Sequence, residues 1–190
     1  KMLATEMTHR GTVALPEADA RSVIAAVARK LAQSGQIEPV GTPAVLATLT
    51  AHHVLDRVDY PQTAFQFEHQ QIQEYYAAFD VRDRLLNLRD DDRDATGRFA
   101  ADCVNDPAWA EPLRMIAETF AEQIGDGETD RRNTRAGGKL VEMALAVDLV
   151  FAGELAQLCG AAVWNGVRAA VGERFRTVYA IRDDNLRQYA

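Results

Sequence analysis

Apolar residues along this chain recur at three- and four-residue steps, and proline and glycine mark where each periodic stretch begins and ends. Leu15-Pro16-Glu17 opens the first, with Pro16 suited to a first helical turn and Glu17 and Asp19 to the positive end of the helix dipole. Val23, Val27 and Leu31, with Ile24 and Ala28 beside them, form its stripe, and Ser34-Gly35 closes it. Thr42-Pro43 starts a second helix, carried by Val45, Leu46, Leu49, His53 and residues 55–58. Tyr60-Pro61 ends it, because a residue before proline is pushed out of helical angles. A third and longer helix is predicted from residue 62 or 63 to about residue 88, with Phe65, His69, Ile72, Tyr75, Tyr76, Phe79, Leu85 and Leu86 mostly on one stripe.

Residues 89–94 read as a solvated charged loop and residues 98–104 as a short helix. Asp106-Pro107 repeats the start signal, and Trp109, Leu113, Ile116, Phe120 and Ile124 mark a fifth helix. Residues 125–138 hold four glycines among polar and charged neighbours and read as a linker. Beyond it, residues 139–158 and 161–178 are the most apolar part of the chain, and no stretch of useful length alternates as a half-buried strand does. The expected fold class is therefore all-α, a single-domain helical bundle of about six or seven helices. Residues 1–14 are expected to be a flexible segment, residues 15–190 the helical domain, and the 125–138 linker a sub-boundary within it.

Composition narrows the setting. A chain of 190 residues has the length of one domain and can remove roughly 70% of its unfolded surface from water. It is 47% hydrophobic and 26% charged, with no uncharged apolar run long enough for a membrane span. Cys103 and Cys159 stand far apart in sequence, which fits neither a metal cluster nor a disulfide framework and makes a reducing cytoplasm the expected location. Three lysines accompany eighteen arginines, a bias that with the abundant alanine points to a GC-rich bacterial genome rather than to chemistry. The net charge of -7 argues against a nucleic-acid partner, whose phosphates call for a basic face.

Several chemistries fail on inspection. There is no phosphate-binding loop ending in lysine and a hydroxyl residue, no dinucleotide fingerprint, and no nucleophile elbow around Ser22 or Ser34. Asp126, Glu128 and Asp130 alternate like calcium ligands, but Arg131 stands where the loop needs glycine and Gly137 where it needs a bidentate glutamate. The Glu-x-x-His step of carboxylate-bridged dimetal bundles is also missing. Its nearest substitute is His52, His53 and Asp56 on the second predicted helix with Glu68, His69 and Glu74 on the third, a candidate ligand or mononuclear metal site. Adjacent histidines on an amphipathic helix more often divide between core margin and water, so no metal or other cofactor is expected.

Two clusters remain. Tyr60, Phe65, Phe67, Tyr75, Tyr76 and Phe79 are six of the chain's fourteen aromatic residues, gathered within twenty positions. On a helix, Phe67 and Tyr75 would flank the apolar stripe and stay partly accessible, so that replacing them would cost little stability. With Tyr76 they form the candidate interaction surface, ordinary core packing being the plainer alternative. Arg131, Arg132, Arg135 and Lys139 are the compact basic group, a candidate anion site or, more simply, the counter-charge to Asp126, Glu128 and Asp130.

The expected function is a non-enzymatic interaction or regulatory module presenting helix surfaces to a protein partner or to a second copy as a homodimer. One alternative is a small-molecule- or metal-binding helical enzyme or sensor using the histidine and carboxylate group. A nucleic-acid-associated domain comes last. Its helix-turn-helix would be the first two helices, whose connection over residues 35–41 exceeds the usual three or four residues.

Overall fold

A computed structural model of the chain describes residues 1–59, 61–122 and 127–181. It is 73% helical, with nine α-helices and a three-stranded sheet among the described residues. The predominance of helix agrees with the sequence pattern; the sheet does not. The chain divides into two compact units, Lys1–Asp80 and Val81–Ala190, rather than at residues 125–138.

The first unit begins where a flexible segment was expected. α1 (Met2–His9) buries Leu3, Ala4 and Met7 instead of fraying, and leads to β1 (Ala14–Pro16). α2 (Glu17–Gln33) starts one residue after Pro16, which caps it from the end of the strand, and closes at Ser34 with Gly35 at φ +69°. α3 (Thr42–Ala51) carries its proline in the first turn, as read from the sequence, but ends seven residues earlier than the apolar run implied.

The missing turns are strand. β2 (Leu55–Val58) and β3 (Ala64–Phe67) form an antiparallel hairpin, and β3 lies between β1 and β2, with Leu15 and Arg57 both opposite Phe65. β3 buries Ala64, Phe65 and Phe67 and leaves only Gln66 half-exposed. With almost every position covered it shows no two-residue alternation, and its four residues are too few to oppose a helical reading. α4 (Gln70–Leu86) therefore starts well after residue 63, and the division between the units falls within it. Its buried Gln73 donates to the Thr12 carbonyl at 3.2 Å and to Thr8 Oγ1 at 3.4 Å, tying α4 to the turn between α1 and β1.

In the second unit, aspartates cap three helical starts. Asp92 accepts from the Ala95 amide at the head of α5 (Arg93–Phe99), which continues as a π-helical segment, Ala100–Val104. Asp106 does the same for a 3-10 turn (Pro107–Trp109) that runs into α6 (Ala110–Ala121), where Leu113, Ile116 and Phe120 form the buried stripe read from the sequence. Asp148 accepts from two amides at the start of α8 (Leu149–Leu158). Each cap satisfies amides that the first helical turn leaves without partners.

α7 (Gly127–Leu145) occupies most of the expected linker, and packs against α6, α8 and α9 (Gly160–Ala180). Gly160, at φ +80°, makes the break between α8 and α9. The core here is Trp109, Leu113, Leu140, Val141, Leu155 and Val163, with both cysteines buried among small and apolar residues. Burial pushes the Cys159 thiol up to about 12, far from reactive thiolate. A disulfide-exchange reagent is thus expected to label neither cysteine in the folded protein at neutral pH and both after denaturation; rapid labelling of the native chain would contradict this packing.

Candidate functional site

The first unit holds an apolar hollow of about 550 Å³. Val23, Val27 and Leu31 of α2 form one wall, since residues four apart share a helix face. Val45 and Leu49 of α3 form the facing wall, and Leu55 and Phe67 of the paired strands line it with Leu3 of α1. The α2–α3 connection adds Ile37 and Val40, which remain 38% and 42% exposed. The lining side chains that carry a polar group are those of Lys1 and Tyr76, and the rest of the lining is apolar.

An aromatic series leads outward from it. The Phe67 ring lies 6.1 Å from Tyr76, Tyr76 lies 5.8 Å from Tyr75, and Tyr75 meets Phe79 edge-on at 4.7 Å. Tyr75 is 53% exposed, as its position beside the stripe predicts, and Tyr76 is half-buried. Phe67 is the correction: it is only 7% exposed, because it belongs to the central strand rather than to a helix flank. Tyr60 lies outside the described residues.

The histidine and carboxylate group does not sit on two facing helices. His52 caps α3 and His53 follows at φ +54°, both exposed in the turn before β2, while Asp56 is within that strand. Glu68 and His69 form the exposed turn after β3, and Glu74 accepts a hydrogen bond from Gln70 one turn away on α4. The register Leu55 opposite Phe67 places the two turns at one end of the sheet. Among the described residues, no three His, Cys, Asp or Glu side chains converge as a metal site.

The basic group is also redistributed. Arg135 and Lys139 both reach Asp90, at 2.8 and 2.7 Å, and Lys139 donates to the Leu88 carbonyl as well. Asp90 before α5 is thus a counter-charge for these two, and Lys139 followed by Arg135 holds its carboxyl below the usual range. Arg131 donates to the Gly127 carbonyl, and Arg132 is exposed. Asp126 lies outside the described residues.

α3 contains no charged residue, and the first unit carries six Lys and Arg against nine Asp and Glu. No helix among the described residues is long and apolar enough to cross a membrane. Compared with known proteins, the chain matches no family model, no curated protein and no solved structure.

Sequence reasoning missed the hollow because its walls use the same spacing as a packed core. The one available signal was the α2–α3 connection, where Ile37 and Val40 interrupt an otherwise polar loop beside Pro39.

Proposed function

We propose that the chain is a protein-interaction module whose first unit receives an apolar segment of a partner in the hollow between α2 and α3. The observation that carries this reading is the apolar lining continued onto the surface by Ile37 and Val40. Concave apolar surface of this kind gives up its contact with water when a partner's side chains fill it, and buried apolar anchors supply most of an interface's affinity. Tyr75, the exposed member of the aromatic series, extends the contact area with a ring that is also able to hydrogen-bond. The uncharged α3 and the acidic balance of the unit favour a protein partner over a nucleic acid.

A photo-crosslinking side chain at Val40 tests this in the native host, with Ala26, exposed on α2 outside the hollow, as the control position. The expected result is a discrete protein adduct from position 40 and none from position 26. In the chain that carries the cross-linker at position 40, replacing Ile37 by aspartate should reduce the adduct about tenfold or more. Ile37 is 38% exposed at the rim of the hollow, so this change should cost no more than about 1–2 kcal/mol of stability. Equal labelling from both positions, or capture unaffected by the aspartate at position 37, would remove the hollow from the interaction. A second reading follows from the volume alone, which lies in the range of small-molecule sites. It predicts a co-purifying apolar compound, released on denaturation and lost when Ala28 is replaced by phenylalanine.

A further inference from the structure

We infer that α9 is a self-association surface, which pairs with the α9 of a second copy in antiparallel fashion about a two-fold axis between Val171 and Gly172. This concerns the second unit and is independent of the hollow. Val163, Val167 and Val171 form the buried face of α9, while Trp164, Phe175 and Tyr179 are exposed by 43%, 43% and 74%. At about 100° per residue, these three and the exposed Arg168 fall within roughly 60° of arc, a single outward stripe beside the buried one. Its steps of four, seven and four residues keep it on one face, as in a helix-pairing seam.

The order of residues within the stripe selects the occupant. Trp164 and Tyr179 are equidistant from the point between Val171 and Gly172, and so are Arg168 and Phe175. Antiparallel pairing about that point sets each Trp164 against the second copy's Tyr179, ring against ring. Each Arg168 guanidinium meets the second copy's Phe175, cation against the electron-rich ring face. A two-fold interface requires a patch complementary to itself, which this stripe is. Gly172 stands at the crossing with open space where a side chain would project, so the two backbones can approach closely there.

The area sets the strength. The exposed parts of the three rings amount to on the order of 300 Å² per copy, against about 800 Å² per partner in a stable complex. The dimer should therefore be weak, with a dissociation constant on the order of 10 µM to 1 mM. Sedimentation equilibrium of the full chain over that range should show reversible dimerisation. Phe175→Glu and, separately, Tyr179→Glu should each weaken it about tenfold or more while leaving the thermal melt close to that of the parent.

Geometry is tested by Gly172→Cys treated with a short bismaleimide, which should give a covalent dimer. Gly166→Cys, on another face of α9, should not, and the buried Cys103 and Cys159 give the parent chain no background. A chain that stays monomeric to about 1 mM, dimerisation indifferent to both glutamates, or equal cross-linking at 166 and 172 would each overturn the assignment. In the first case the stripe belongs to a different partner.

Discussion

Phe67→Ala is expected to cost about 3 kcal/mol of stability, whereas Tyr75→Ser costs about 0.5–1.5 kcal/mol, although the two were equivalent by helical position. Phe67 lies in the central strand with its ring against Tyr76, and truncation there enlarges a space that neighbouring side chains cannot close. The lower end of the usual range for such truncations applies because the ring borders the hollow on one side. Tyr75 loses only its edge contacts with Tyr76 and Phe79, and the site refills with water. For a unit of this size, 1 kcal/mol corresponds to roughly 4–8 °C in Tm, so the melts should differ by on the order of 10 °C. Equal melts would return Phe67 to the surface and remove the sheet from the first unit.

The same pair shows why the architecture was only partly legible. Helix starts were readable where a cap and proline act through local geometry alone, as at Pro43 in α3 and Asp106-Pro107 before α6. Their energetics do not depend on what packs nearby. The strands were hidden because pairing partners are supplied by tertiary structure: Phe65 and Phe67 meet β1 and β2, which lie far along the chain or across a turn. Phe65 and Ile72, seven residues apart, also happen to satisfy the helical period. The hollow was illegible for a related reason, since spacing in α2 identifies which side chains share a face but not whether another element fills the space opposite. Tyr75 could be placed correctly because a strong helical stripe runs on either side of it in α4.

The expected linker at residues 125–138 failed on the meaning of its glycines, and adjacent substitutions there should move stability in opposite directions. Both Gly137 and Gly138 lie inside α7, where alanine is intrinsically favoured by about 1 kcal/mol. At Gly138 a methyl group would come no closer than 3.9 Å to Val167, an ordinary contact, so Gly138→Ala should stabilise by roughly 0.5–1 kcal/mol. At Gly137 the same methyl would stand 2.9 Å from Val163 Cγ2 and 3.2 Å from Cys159 Sγ, with the Phe120 ring at 3.5 Å. Val163 is buried and β-branched, and cannot yield by rotating a flexible end. α7 must then move away from α9, at a cost of about 1–3 kcal/mol that outweighs the gain in helix propensity. Gly137→Val, with two further methyls, should exceed that range. Denaturant titrations of the two alanine variants decide the matter: equal stabilisation at both positions would mean that α7 and α9 do not pack through Gly137, and that this stretch is a solvated helix whose glycines serve no contact.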